Sequence, residues 1–135
     1  MKKGLLLAVC AIAALALNVW AQARRHDEIM KEVSATYEKL KTGLDAMNAA
    51  QAAQDAQKLQ NLFKEVEQFW TAFDTKDAME AAKSVQTTFG ALSESVKVNN
   101  FQQALTTYNA AARYCAACHG THRVQMADKS YRIKP

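Results

Sequence analysis

The segment FQQALTTYNAAARYCAACHGTH, residues 101–122, carries apolar and potentially reactive side chains at a regular helical spacing. Side chains that recur at steps of three and four residues fall on one face of an α-helix. The segment therefore predicts a long helix whose apolar face ends among cysteine and histidine. The residues at these steps are Phe101, Leu105, Tyr108, Ala112, Cys115, His119 and His122.

Three earlier segments show the same spacing, and the 135-residue chain has its single proline at the C-terminus. Four such segments with short connections predict an all-α fold, an antiparallel up-down-up-down four-helix bundle. In that topology the start of the first helix lies beside the end of the fourth. We call the apolar residues on one face of each predicted helix its stripe. The stripes of the first three helices are, in order, Met30, Val33, Tyr37, Leu40, Leu44 and Met47; Ala56, Leu59, Phe63, Val66, Trp70 and Phe73; and Ala82, Val85, Phe89, Leu92 and Val96.

Two helix starts carry local sequence signals. Asp74, with Asp77 three residues later, has the pattern of an N-terminal cap for the third helix. Asn99 with Gln102 has a similar pattern before the fourth helix. We therefore expect the third and fourth helices to begin at these positions.

Residues 1–23 have the pattern of a cleaved secretory signal peptide. Lys2 and Lys3 precede an almost wholly apolar stretch over residues 4–19, and the small-residue motif AQA follows it. Cys10 lies inside the apolar stretch and is predicted to be lost on cleavage. The pattern predicts export to the periplasm, with no stable membrane anchor in the mature protein.

The mature chain is predicted to consist of a helical domain, residues 24–124, and a polar C-terminal tail, residues 125–135. The tail is expected either to cover the end of the bundle or to be solvated. Without Lys2 and Lys3 the formal net charge falls from +4 (17 basic against 13 acidic residues) to +2 (15 against 13). No cluster of Lys or Arg follows the initial RRH, so no nucleic-acid partner is expected.

The motif CAACH, residues 115–119, allows three chemistries. A redox disulfide favours a cysteine at a helix N-terminus, but Cys115 lies about four turns into the predicted helix. A structural zinc site needs four ligands. Cys115, Cys118, His119 and His122 could supply them, but all four would come from one short helical stretch.

Covalent haem attachment is the third and favoured chemistry, because C-x-x-C-H is the sequence that binds c-type haem. Cys115 and His119 are four residues apart and share a helix face, while Cys118 lies one step around it. Two thioether bonds would hold the porphyrin edge, and His119 would reach the iron as its proximal ligand. The motif therefore predicts one covalently bound haem c.

A C-x-x-C-H motif on the last helix of an exported four-helix bundle resembles the class II c-type cytochromes, the cytochrome c prime and c556-type group. The resemblance covers the mature chain and rests on Cys115, Cys118, His119 and the basic Arg123 four residues later. It implies that Arg123 lies near the haem, and that a homodimer is possible. The chain departs from the group at His122, where an aromatic residue is frequent.

The distal side of the iron is predicted to face Met30. This methionine lies near the start of the first helix, next to the end of the fourth, and the low-spin members of the resembled group place a methionine ligand there. The alternative is that Met30 is a core residue, as Met47 and Met79 are expected to be. His26 lies one turn before Met30 on the same face and could bind the iron if the N-terminus folds over it, but it is expected to be an exposed residue at the start of the helix. His122 is expected either to bond a haem propionate or to face solvent.

The sequence thus favours a monohaem c-type cytochrome that carries single electrons between redox partner proteins and is not an enzyme. If Met30 points away from the iron, the alternative is a five-coordinate protein that binds NO or CO. A peroxidase would need a distal His and Arg pair, for which only Arg25 and His26 are candidates. Aromatic side chains should wall the haem pocket and core: Phe63, Phe69, Trp70, Phe73 and Tyr108.

Overall fold

The computed structural model describes residues 26–135. The predicted signal peptide, Cys10 and Arg25 lie outside this range. Within it, no helix is sufficiently long and apolar to cross a membrane. The elements are α1 over residues 26–45, α2 Ala49–Thr71, α3 Lys76–Lys97, α4 Phe101–His122, β1 Arg123–Gln125 and β2 Tyr131–Ile133.

The four helices pack against each other, and successive helices run in opposite directions. Lys58 in α2 forms an ion pair of 2.7 Å with Glu32 in α1. His122 at the end of α4 lies 2.8 Å from the carboxylate of Asp77 at the start of α3. The second contact joins the end of α4 to the start of α3, as expected when a short connection joins two antiparallel helices. The architecture is all-helical apart from a short hairpin and is compatible with the predicted four-helix bundle.

The apolar stripes predicted for the second and third helices supply much of the core. Every predicted stripe residue of α3 is buried, and so is every one within α2, while Phe73, two residues beyond the end of α2, is partly buried. Burial of large apolar side chains stabilises each helix against its neighbours. The largest fully buried side chains are Trp70, Phe89, Leu40, Leu44, Leu59, Leu92, Val85 and Val96.

The predicted stripe of α1 was extended too far. Met47, expected in the core, is 70% exposed, because α1 ends at residue 45. Met47 has a left-handed backbone (φ 51°), and Asn48 accepts a hydrogen bond from the backbone N–H of Gln51 to cap α2. Met79, in contrast, is partly buried against the core as expected.

The predicted stripe of α4 also differs from the buried face. Ala112 and His119 are exposed, and Phe101 and Leu105 are partly buried. The face turned inward shares Tyr108, Cys115 and His122 with the prediction but otherwise passes through neighbouring positions, still at steps of three and four. Its residues are Ala104, Tyr108, Ala111, Cys115, Cys118 and His122.

Both predicted helix caps are one residue early. Thr75 precedes α3 and makes no side-chain cap hydrogen bond, while Asn100 caps α4 by accepting a hydrogen bond from the backbone N–H of Gln103. Asp74 and Asn99 instead have left-handed backbones, with φ of 51° and 57°. Asp and Asn tolerate this conformation better than most residues, so they turn the chain before each cap.

The C-terminal residues form a β-hairpin, which the sequence did not predict. Strand β1 pairs antiparallel with β2, and Arg123 lies opposite Ile133. The backbone N–H of Lys134 donates to the carbonyl of His122 over 2.9 Å. This bond attaches the hairpin directly to the end of α4. Much of the predicted tail is therefore ordered against the bundle.

Candidate functional site

A cavity of about 610 Å³ lies between the helices, at the end of the bundle that contains the C-terminal half of α4. Side chains from all four helices and from the hairpin line it. Its walls are mainly apolar and include Val33, Val66, Val85 and Trp70. Cofactor sites in proteins are typically apolar clefts of about 300–1,000 Å³. The cavity therefore has the size and character of a cofactor site.

The structure brings all five sequence-predicted site residues to this cavity. Cys115, Cys118 and His119 line it from the last turns of α4, and Arg123 follows at the start of β1. Met30 lines it from α1. Antiparallel packing of α1 beside α4 explains this grouping of residues that are far apart in sequence.

Both cysteines are free thiols and are partly buried. Burial raises the pKa of Cys115 above its usual range. Burial, followed by the charge of Asp77 and the influence of Cys115, raises the pKa of Cys118 to about 11. Thiols with raised pKa values are weak nucleophiles at neutral pH, unlike the activated cysteines of redox enzymes. The site does not have the electrostatics of a C-x-x-C oxidoreductase.

His119 lines the cavity while remaining partly exposed to solvent. Burial of the ring, with a smaller effect of the Arg123 charge, lowers the pKa of His119. Arg123 Nη1 lies 3.4 Å from His119 Nδ1, and the guanidinium can only donate. A neutral imidazole is the form that ligates metals. The surroundings of His119 favour this form.

His26 is buried, contrary to the expectation that it is exposed. It is only 5% exposed, and its ring lies 4.4 Å from that of Phe69 and 5.6 Å from that of Trp70. Its Nδ1 is fully buried without a hydrogen-bond partner, and the side chain lines the cavity. Burial lowers the pKa of His26 to about 4. Met30, one turn later, is partly buried beside the core.

His122 is a structural residue of the bundle end. It is buried, its Nδ1 donates to the carbonyl of Lys134 over 2.9 Å, and its Nε2 lies 2.8 Å from Asp77 Oδ2. This hydrogen bond lowers the pKa of Asp77. The ring of Trp70 lies 4.9 Å from that of His122. The expectation of a solvent-facing His122 was therefore wrong.

These contacts also bear on the zinc alternative. A zinc site at the motif would need His122, but both of its ring nitrogens are engaged elsewhere. Across residues 26–135, no group of three or more His, Cys, Asp or Glu side chains is arranged to hold a metal ion. The C-terminal half of α4 thus supplies to the cavity two thiols and the imidazole of His119, whose Nδ1 faces Arg123.

The hairpin closes part of the cavity. Ser130, Tyr131 and Ile133 line it, and the guanidinium carbon of Arg123 lies 3.3 Å from the centre of the Tyr131 ring. A cation over an aromatic face is attractive. The contact holds Arg123 across the hairpin and next to His119.

No protein-family model, curated protein or solved structure matches this chain. The function is therefore inferred from the residues around the cavity and from their chemistry. Those residues fit a c-type haem: the cavity is large and apolar, its α4 wall carries the complete C-x-x-C-H motif, and α1 adds a thioether.

Sequence reasoning missed the burial of His26, the structural role of His122, and the hairpin residues Tyr131 and Ile133. Helical periodicity placed His26 on the same face as Met30, but its position at the start of the helix favoured an exposed residue. The Asp77 partner of His122 and the return of the hairpin depend on tertiary contacts, for which the local sequence gives no signal.

Proposed function

We propose that the chain is a periplasmic, monohaem c-type cytochrome of the class II type that carries single electrons. The proposal is carried by one observation: a single apolar cavity is lined by Cys115, Cys118 and His119 on one helix and by Met30 on another. We further propose that the four helices form an up-down-up-down bundle, which would hold the haem near the end where α1 starts and α4 ends.

Each of these residues has a defined part in holding the cofactor. Cys115 and Cys118 would form thioether bonds to the porphyrin, His119 would be the proximal iron ligand and Met30 the distal one. When bound, the haem iron supplies a one-electron couple. Methionine and histidine together raise its potential. The apolar walls would keep water from the iron, and Arg123 places a positive charge beside His119.

The proposal includes the protein's partners and location. The predicted signal peptide would direct the chain to the periplasm, where haem is attached. Electrons would be exchanged with redox partner proteins near His119 and Tyr114, which line the cavity and are exposed to solvent. We propose no substrate beyond the electron, and a homodimer is compatible with the family resemblance.

The proposal is tested by producing the full chain in cells able to attach haem and recording ferric and ferrous visible spectra with and without CO. We expect one covalent haem per chain by pyridine haemochrome, a sharp low-spin ferrous spectrum and no response to CO. We also expect the ferric charge-transfer band of thioether-ligated iron. That band should disappear in Met30→Ala and persist in Met79→Ala, which alters a methionine outside the cavity lining.

Two other outcomes would change the proposed function. A high-spin spectrum that responds at once to CO would assign Met30 to the core and favour the binding of NO or CO. A chain purified without haem, from cells that attach haem to a control cytochrome, would contradict both functions.

A further inference from the structure

His26 is a buried polar side chain of the cavity lining to which the proposed function gives no role. It is 5% exposed, lines the cavity and has a fully buried Nδ1 without a hydrogen-bond partner. Burying a polar group without a partner costs free energy. Its aromatic neighbours, Phe69 and Trp70, pack against the ring but form no hydrogen bond with Nδ1. The imidazole is therefore available to a group bound in the cavity.

His26 and Met30 reach the cavity from the same side of α1. The two residues are four apart on α1 and both line the cavity. Helical side chains lean toward the N-terminus of their helix, so Met30 extends toward the turn that carries His26. The methionine side chain has three rotatable bonds and adapts to its surroundings. The thioether and the imidazole therefore converge on the same region of the cavity.

His26 also lies near His119, although the two residues belong to different helices. The imidazole of His119 contributes to lowering the pKa of His26, so the two rings are near enough to influence each other's charge. His26 lies on α1 and His119 on α4, and both reach the cavity. An iron bound to His119 would thus have a second imidazole available from another helix.

We propose that His26 is a second distal ligand, held in reserve beside Met30, that binds the haem iron when the thioether is displaced. The inference rests on the proposed function, because it requires a haem bound through His119. Two residues one helix turn apart, Met30 and His26, would then be alternative ligands on the distal side of the iron, where a single ligand was expected.

The chemistry of the two donors supports this assignment. Thioether sulfur is a soft ligand, whereas imidazole suits iron more generally. Since burial lowers the pKa of His26 to about 4, the ring is neutral at physiological pH and loses no proton when it binds. Two imidazole ligands would keep the iron six-coordinate and low-spin. His26 would therefore close the iron to small gases even after Met30 is released.

The experiment compares haem-loaded wild-type protein with Met30→Ala, Met30→Ala/His26→Ala and His26→Ala. Haem content is measured first by pyridine haemochrome, followed by ferric electron paramagnetic resonance and CO titration of the ferrous protein. We expect Met30→Ala to remain low-spin, with the signature of two imidazole ligands. The double variant should become high-spin and bind CO at least about tenfold more tightly, because no internal ligand competes.

Two comparisons separate ligation from a packing effect. Met30→Ala/His26→Phe keeps an aromatic ring against Phe69 and Trp70 but has no donor, so it should be as high-spin as the first double variant. Added imidazole should restore the low-spin spectrum of Met30→Ala/His26→Ala. His26→Ala alone should keep the thioether charge-transfer band, since Met30 is still present. Far-UV circular dichroism checks that each variant is folded.

The inference is overturned if Met30→Ala is already fully high-spin and binds CO as tightly as the double variants while haem content stays at one per chain. In that case Met30 ligation, and with it the proposed function, would survive. A wild-type chain without covalent haem would overturn both proposals together.

Discussion

Tyr37 and Tyr108 join α1 to α4 beside the cavity. Their rings stack with centroids 4.2 Å apart, and the Tyr37 hydroxyl donates to the Tyr108 backbone carbonyl over 2.9 Å. Burial is the main cause that raises the pKa of Tyr37, so its hydroxyl stays protonated and can donate. The pair fixes the spacing of the two helices that supply the proposed iron ligands.

Tyr37→Phe should lower the free energy of unfolding by about 1 kcal/mol, because the stacked ring remains while one partly buried hydrogen bond is lost. Urea unfolding followed by circular dichroism measures the change. Tyr114→Phe is the matched control, since Tyr114 is 40% exposed, and it should change the free energy by less than about 0.5 kcal/mol. Equal effects in the two variants would contradict the role assigned to the Tyr37 hydrogen bond.

The burial of His26 makes stability depend on pH. Its pKa is about 4 in the folded protein and 6.5 as a reference for the unfolded chain, so the unfolded chain binds more protons between these values. Stability from this residue is present above pH 6.5 and is lost as the pH falls toward 4. The loss should approach about 3 kcal/mol, since each pKa unit corresponds to about 1.4 kcal/mol.

The measurement is the free energy of unfolding in urea from pH 7 to pH 4, for wild type and His26→Phe. The phenylalanine variant retains an apolar ring but cannot titrate, so the difference in stability between the two proteins should change steadily in its favour as the pH falls. Curves that stay parallel across this range would show that His26 is not buried in the folded protein.

At the residue scale, the sequence predicted which residues would meet at the site but not the contacts that surround them. Cys115, Cys118 and His119 could be placed because their motif and helical spacing are local. Met30 followed from the order of the helices. The burial of His26 could not be predicted, because it depends on Phe69 and Trp70 at the far end of α2. Whether these residues hold a haem stays a prediction.

At the scale of elements, α1 and α2 approach closely at Gly43. A Cβ atom added there would lie 3.3 Å from the backbone nitrogen of Ala52, closer than most contacts of this kind. At Gly120, in the last turns of α4, an added Cβ would meet no atom within 4 Å. We therefore expect substitution by alanine to change the free energy of unfolding differently at the two glycines.

Gly120→Ala should raise the free energy of unfolding by about 0.5–1 kcal/mol, because alanine loses less backbone entropy in a helix. At Gly43 the same gain is offset by the displacement of α2, so Gly43→Ala should be less stable than Gly120→Ala by at least about 1 kcal/mol. Thermal and urea unfolding of both variants provide the test. Equal stabilisation at the two sites would contradict the close approach of α1 to α2.

The helices themselves were predictable, but the face that α4 turns inward was only partly so. Its sequence has small or apolar residues on adjacent stripes, and periodicity does not decide which of them is buried. Packing favours Ala104 and Ala111, whose small side chains allow the neighbouring helices to approach. The hairpin was missed because β1 has only three residues, Arg123–Gln125, and follows α4 without a break.

At the scale of the molecule, the two ends of the bundle differ. One end contains the cavity, the free thiols and the hairpin, while the other carries the exposed apolar side chains Met47 and Val98 near its loops. Most of the core lies in the tightly packed helix interior. A cavity of about 610 Å³ leaves apolar walls without packing partners. A bound cofactor would supply that packing.

Cys115 and Cys118 determine how the proposed haem would be retained. If Cys115 and Cys118 form the two proposed thioether bonds, haem occupancy in wild type would be independent of concentration, so acidified acetone should leave all the haem on the chain. In Cys115→Ala/Cys118→Ala the haem would be held only through His119 and Met30, and its occupancy would follow mass action. We expect acidified acetone to extract it completely, and the unfolding midpoint of the variant to rise with added haem.

The matched control is Ala116→Ser/Ala117→Ser, which alters two exposed residues between the cysteines and keeps both thiols. This variant should retain its haem as wild type does, because neither alanine side chain lines the cavity. Single cysteine variants should keep one thioether bond and resist extraction, with a shifted ferrous absorption band. Wild-type protein that loses its haem in acidified acetone would show that the thiols at the cavity wall do not form the proposed bonds.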